Sequence, residues 1–270
     1  LFPTLRWLRA TMSLSIDINS EPLPEAFSNL SRAVVTISQR EIERAPVSSL
    51  NELLEFVSNI DIRQRGSQGV QADISIRGSS FDQVLILLNG VNISDPQTGH
   101  HNLNLPVDLS VIDRIEIIKG PGSSKFGPGA FGGAINFITK KNSNPFLQAS
   151  TAIGSYTSHK ELLSAAFNTG SLNHFISASY SSSKGYVENT DFSAASVYYQ
   201  TAFRADKSEM SFQMGLSDKN FGANNFYSPK YAAQFEETRT IFSSFHGKTT
   251  VGKLEIEPTV FFRRHNDHYL

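Results

Sequence analysis

From Phe146 to Arg264 the sequence repeats one pattern, stretches in which apolar and polar residues alternate, each broken by a polar turn. A period of two puts every second side chain on the same face of a β-strand, so each stretch is expected to form a strand with one oily and one polar face. Seven strands are expected: Phe146 to Ile153, Lys160 to Asn168, Asn173 to Ser182, Ser196 to Arg204, Glu209 to Ser217, Thr238 to His246 and Lys253 to Arg264. In the fifth, Met210, Phe212, Met214 and Leu216 oppose Ser211, Gln213, Gly215 and Ser217. In the seventh, Leu254, Ile256, Val260 and Phe262 oppose Lys253, Glu255, Glu257 and Arg263.

Alternation leaves a soluble sandwich and a membrane barrel both open, because each has one apolar face per strand. Loop lengths separate them. TGSL, ADKS and GKTTVG are short, whereas SKGYVENTDFSAA and DKNFGANNFYSPKYAAQFEE are long, with GSYTS a compact exception on the long side. Short turns on one rim and long loops on the other are the pattern of an outer-membrane barrel. The serines, glutamines and charges at the polar positions suit a wet or plugged lumen better than a dry sandwich core. Seven strands are too few to close a wide barrel.

The chain changes character at Asn144-Pro145, and three segments are expected: an N-terminal stretch 1–31, a mixed domain 32–144 and the strand region 145–270. In the mixed domain AVVTIS reads as a strand, and Ser38 with Glu41 as the capping box of a short helix stopped by Pro46. Ser48 or Ser49 caps a second helix, whose Leu50, Leu53, Leu54 and Val57 share one buried face. IDIRQ, DISIRG, QVLILLNGV, RIEIIKG and AINFITK read as strands.

With 24 basic and 25 acidic residues the net charge is −1, which supplies no field for gathering nucleic acid. The absence of cysteine excludes thiolate catalysis, disulfides and the usual structural zinc sites. No run approaches the roughly 20 apolar residues of a membrane-spanning helix. The start, LFPTLRWLRA, shows neither an initiator methionine nor a complete signal-peptide pattern, as expected of a mature or truncated product.

Gly127, Gly129 and Gly132 spell G-x-G-x-x-G, a spacing that can cradle a pyrophosphate when a strand precedes it and a helix follows. Here GAINFITK follows, and its Ile135, Phe137, Ile138 and Thr139 read as a strand. Neither H-R-D nor D-F-G occurs, so a kinase loop also fails. The alternative is that these glycines let backbone turn tightly and pack closely.

Five elements occur in order: LNELLEFV, IRG at 76–78, LNGV at 88–91, IDRIEIIKGPGSSKFG and GAINFIT. Together they resemble the plug domain of TonB-dependent outer-membrane transporters, over about Val34 to Lys141. Within that family, the run from Arg63 to Leu109 is most similar to cobalamin transporters.

The resemblance implies an α+β plug domain followed by antiparallel transmembrane β-barrel strands, here a partial barrel where the family closes one of 22 strands. It implies about fifteen further strands beyond Leu270. It implies no enzyme chemistry and no cofactor. The expected activity is active uptake of a scarce ligand across the outer membrane, with a corrinoid, a siderophore or an oligosaccharide as candidates. Expected partners are a TonB-type energy-coupling protein, outer-membrane lipid, the small-molecule ligand and a surface lipoprotein. Plug positions facing outside supply the candidate ligand contacts Gln64, Arg65, Gln68, Asp95, Gln97, His100, His101 and Asn102. Adjacent His100 and His101 suggest no metal site, because neighbouring side chains diverge and no carboxylate cluster accompanies them in the sequence. Arg77, Arg114 and Glu116 occupy positions of a plug–barrel lock, with Asp73 or Glu116 as near partners. Leu14 to Glu21 is a weak positional candidate for the TonB-contacting box.

Overall fold

A computed structural model describes residues 11–15, 34–66, 70–95, 97–120, 129–141, 144–205, 208–226, 230, 233–252 and 254–270. Strand β1 is Thr11–Ser15 and β2 is Val34–Ile37. Helix α1, Gln39–Arg44, starts with the expected capping box, in which the Glu41 carboxylate accepts from both the Ser38 N–H and its hydroxyl. Helix α2, Leu50–Glu55, is capped by Ser49, whose hydroxyl accepts from the Glu52 N–H at 3.3 Å. Leu50, Leu53, Leu54 and Val57 are buried, as their helical spacing requires.

A two-stranded ladder joins β3, Ile60–Gln64, to β4, Ala72–Ile76. A mixed sheet follows from β5 (Val84–Leu88), β6 (Val91–Asn92), β7 (Ile112–Lys119) and β8 (Gly133–Thr139), in the order β2-β7-β8-β5-β6. The Asn-Gly pair between β5 and β6 takes positive φ at both residues, 51° and 81°, the geometry of a two-residue hairpin turn. Strand β8 is buried at every position. After Gly132 the chain therefore enters a central strand, and among the described residues no helix follows the glycine stretch; Gly127 lies outside the described residues. Gly133 is there for space. A Cβ on it would overlap the Ile118 carbonyl oxygen and lie 2.9 Å from Ile76 Cδ1.

The remaining strands are β9 (Phe146–Gly154), β10 (Ser158–Thr169), β11 (Leu172–Ser183), β12 (Phe192–Ala205), β13 (Ser208–Gly222), β14 (Phe235–Val251), β15 (Leu254–Ile256) and β16 (Thr259–Tyr269). All pair antiparallel, β9 to β14 in chain order and β16 beyond β14, with β1 on the far side of β16. They form an open, curved wall, a partial barrel. The expected seventh strand is divided in two, because Pro258 has no N–H for the ladder and separates β15 from β16.

One parity of the wall faces the N-terminal domain and the other faces away from all protein. Gln213 and Ser217 are each 7% exposed, whereas Met210, Met214 and Leu216 are 44%, 39% and 39% exposed. The same holds for exposed Leu163, Phe167, Ile176 and Val197 against buried Ser164, Ala166, Ser177 and Tyr198. A sandwich would bury its apolar rows against a second layer; here they remain open, and the polar face is covered instead. Ala166, Phe175, Tyr198 and Phe242 belong to the same hydrophobic core as Leu54, Ile76, Ile86 and Phe137. Among the described residues no helix is long and apolar enough to cross a membrane.

Gly133→Ala should lower stability by on the order of 2–3 kcal/mol, because the new methyl overpacks against a backbone carbonyl in a central strand. A shift in the urea midpoint of the intact protein measures it, and an unchanged midpoint would contradict this packing role.

Candidate functional site at the interface of domain and wall

The centre of the interface is Asn89, placed by the hairpin turn between β5 and β6. Its side-chain N–H group donates to Gln213 Oε1 at 2.7 Å, Thr139 Oγ1 at 2.9 Å and Tyr198 Oη at 3.2 Å. Its carbonyl oxygen accepts from the Thr139 N–H at 2.9 Å. Thr139 passes the chain on to Gln200 Oε1 at 2.6 Å, and Gln200 donates to the Lys140 carbonyl. Gln213 also donates to Ser244 at 2.8 Å. Buried polar groups need partners, and these supply one another across the interface. Beside the network lies a cavity of about 650 Å³, bounded by Asn89, Arg114, Thr139, Gln200, His246 and Lys248.

Charged attachments flank this centre. Lys160 on β10 meets Asp108 at 2.7 Å and donates to the Ser48 carbonyl at 3.2 Å. Burial alone would raise the Asp108 carboxyl, but the Lys160 charge and the Ser110 N–H and hydroxyl outweigh it and hold the group below its ordinary value. Lys219 on β13 donates to Asn104 Oδ1 at 3.0 Å and to the Val70 carbonyl at 3.3 Å. Gly215 leaves room for Pro106, whose Cγ would lie 2.7 Å from a Cβ there.

The third group sits at the end of the wall where β14 begins and β16 ends. The Asp95 carboxylate accepts from the backbone N–H groups of Gln97, Thr98 and Gly99 at 3.0–3.2 Å and faces Arg263 Nη1 at 3.7 Å. Burial opposes its charge, yet the Gln97 and Thr98 N–H groups and then Arg263 keep the carboxyl below its usual range. His101 is buried, with Nε2 at 3.2 Å from Glu236 Oε1 and 3.4 Å from Asp267 Oδ2.

The candidate ligand contacts divide. Asn102 is buried and shapes the loop, accepting from the Asp95 N–H at 2.6 Å and donating to the Phe81 carbonyl at 2.9 Å. Asp95 and His101 are buried against the wall. Arg65 pairs with Asp73 at 2.9 Å and donates to the Phe226 carbonyl, so the long loop after β13 reaches this side of the domain. His100 bonds Asp73 at 2.8 Å and stacks on Phe81, keeping part of its ring exposed. Gln64 donates to Glu55, Gln97 is exposed, and Gln68 lies outside the described residues. The carboxylates that the neighbourhood of His100 and His101 lacks arrive from far along the chain, as Glu236 and Asp267.

Of the lock candidates, Arg114 bonds Glu116 at 2.9 Å and Asp113 at 3.2 Å, all on β7, with Glu116 buried. Arg77 is exposed, in a turn with φ 53°, and among the described residues it makes no ion pair. Of Leu14 to Glu21 only residues 14 and 15 are described, in β1. The interface residues that sequence reasoning missed are Asn89, Thr139, Tyr198, Gln200 and Gln213. Their signal was the polar parity of β12 and β13, which marks the inward face but not its partners.

Residues 27–134 match the sequence model of the TonB-dependent receptor plug domain. The chain is 38% identical over 119 residues to the vitamin B12 transporter BtuB of Vibrio vulnificus (strain CMCP6), a segment covering 44% of this chain and 19% of that protein. It is 37% identical over 110 residues to the vitamin B12 transporter BtuB of Vibrio cholerae (strain M66-2), covering 41% and 18%. The matched part is thus about a fifth of those relatives' length. Among solved structures, the unliganded ferric citrate transporter FecA superposes with a TM-score of 0.73 at 14% identity, over 88% of this chain and 40% of that one. The ferric yersiniabactin uptake receptor FyuA of Yersinia pestis gives 0.70 at 16%, over 88% and 41%. At these identities the likeness is one of fold, and it extends beyond the plug into the wall.

Two outcomes follow from the interface. Asn89→Ala should cost roughly 2–3 kcal/mol, since it strands buried groups on both sides. Asn89→Gly, which keeps the turn geometry, should lose nearly as much; wild-type stability in that variant would mean that the contacts contribute nothing. Asp108 and Asp95 both have depressed folded values, so their stabilisation is fully present above the ordinary carboxylate value of about 4 and is lost as pH falls through the lower folded value. Asp108→Asn should therefore cost about 1–3 kcal/mol at neutral pH, with the difference from wild type shrinking below about pH 4. Urea midpoints measured against pH test this, and a difference that grows on acidification would refute it.

Proposed function

We propose, from the premise that residues 27–134 form a TonB-dependent receptor plug domain, that this chain serves active uptake of a scarce solute across an outer membrane. The family consists of receptors and transporters, not enzymes, so the work is binding and gating. The observation that carries the reading is the inverted wall: its apolar rows lie open while its polar rows are buried under the plug. In water such a surface is an aggregation hazard; against lipid it is satisfied, and strands of about 9–11 residues suffice to span. We assign residues 1–31 to an N-terminal segment, 32–144 to the plug and 145–270 to the first part of the barrel.

The solute we favour is a corrinoid. The support is that relatives named vitamin B12 transporters match at 37–38% identity over 110–119 residues. Gln64, Gln97 and His100 are the candidates with surface to offer an external ligand, and Asp95, His101 and Asn102 would act by holding the loop that presents them. A ligand shifts an equilibrium only by its differential affinity, so displacement of the plug is assigned to a TonB-type protein pulling on the chain ahead of β2. Arg77, with Arg114 and Glu116, is assigned to ionic attachments between plug and barrel that break without unfolding either body.

Equilibrium binding to the natural full-length protein in detergent tests the choice of solute. Cyanocobalamin should bind saturably at micromolar concentration or below, while ferric citrate and ferric yersiniabactin should not compete. Absence of corrinoid binding at micromolar concentration, or preferential binding of a ferric chelate, would overturn it.

A further inference from the structure

His101, Glu236 and Asp267 come from the loop after β6, the start of β14 and the end of β16, and their nearest ligating atoms all lie within 4.8 Å of one another. His101 and Glu236 side chains are 4% and 1% exposed and Asp267 25%. The imidazole Nε2 stands between two carboxylate oxygens, at 3.2 and 3.4 Å. A charge-assisted N–H···O bond closes to about 2.7–2.9 Å, and one N–H lies along only one such axis. Two longer, nearly equal separations fit instead the edges of a tetrahedron, which for bonds of about 2.0–2.1 Å are roughly 3.3 Å.

A second imidazole stands next to this group, outside the three residues whose ligating atoms lie within 4.8 Å of one another. His265 on β16 is 7% exposed, and its ring centroid lies 4.8 Å from that of His101. Thr240 holds its Nδ1 at 2.8 Å, and its buried Nε2 has no hydrogen-bond partner among the described residues. An imidazole fixed through one nitrogen with the other left over is how metal-binding histidines are oriented.

We propose that His101, Glu236 and Asp267 bind a divalent transition metal of the zinc class that clips the plug's outer loop to the wall, with the neighbouring His265 or a water taking the fourth position. The imidazole and carboxylate donors select for zinc and its neighbours over calcium or magnesium, which take oxygen-rich cages. A metal on His101 Nε2 puts that ring's remaining proton on Nδ1, which lies 3.2 Å from Asn104 Nδ2. Asn104 keeps its Oδ1 on Lys219, so the Nδ2 contact with the ring is given up when the metal binds. The site joins the plug to two strands at once, so occupancy holds that loop docked.

The test uses the natural full-length protein, stripped with chelator and titrated with Co²⁺ and Zn²⁺ salts without any transport substrate. One Co²⁺ per chain should bind with the intense visible bands of a four-coordinate site, and Zn²⁺ should displace it. Glu236→Gln and Asp267→Asn should each weaken binding at least about tenfold. The control Glu237→Gln, on the opposite parity of β14, should leave it unchanged. Metal should also raise the melting temperature of the wild type. If a variant fails to fold, the wild-type spectrum decides alone. No saturable Co²⁺ binding at micromolar concentration, a six-coordinate spectrum, or equal affinity in folded Glu236→Gln and Asp267→Asn would overturn the proposal. Because no corrinoid or ferric chelate enters the assay, its failure leaves the uptake reading standing, and the reverse also holds.

Discussion

The polar face of the wall is buried because another folded body lies against it, and the rest of the structure depends on that contact. Gln213, Tyr198 and Gln200 would be unsatisfied in a dry interior and merely wet in an empty tube; Asn89 and Thr139 give them partners. With the polar parity committed inward, the apolar parity has nowhere to go but outward, since side chains in a strand alternate strictly. The belt of Met210, Met214 and Leu216 and the docking of the N-terminal domain are two consequences of one register.

The contact is also of a kind that can be broken. Its centre is a hydrogen-bonded network, flanked by the Lys160–Asp108, Lys219–Asn104 and Arg263–Asp95 contacts, while the plug keeps its own apolar interior of Ile74, Ile86, Ile115 and Ile135. Separating the two bodies exchanges protein hydrogen bonds largely for water, at a modest net cost per bond, and leaves most of the plug core untouched. Under the uptake function proposed above, a body that is shifted by force and then re-seated is better held this way than by a continuous apolar seam. Phe175, Tyr198 and Phe242 add an apolar component from the wall, which fixes the seat.

Much of the fold was legible because its determinants are local. Alternation gave the wall strands to within a few residues, and Ser38 with Glu41 and the Ser48-Ser49 pair gave the helix starts, whereas QVLILLNGV, read as one strand, breaks at Asn89-Gly90 into β5 and β6 because both residues take positive φ. The β-branched residues after Gly132 excluded a phosphate-binding helix there. The match at residues 27–134 bears out the resemblance to the plug domain. The interface was not legible, since its pairs are long-range. Nothing near His101 announces Glu236 or Asp267, and nothing near Asn89 announces Gln213, so loop polarity read as ligand-facing surface also includes residues committed to the wall. The Pro258 break was readable in principle, but the alternation continues in phase across it and masks the interruption.

Nitroxide labels placed one at a time from residue 210 to residue 217 of the full-length protein in bilayers test the central claim most directly. Collision with oxygen and with a water-soluble nickel chelate then reports the surroundings of each label. The account predicts high oxygen and low nickel collision at 210, 212, 214 and 216, and an immobilised label reached by neither at 213, 215 and 217. Nickel collision dominating the even positions, or no alternation along the strand, would contradict it.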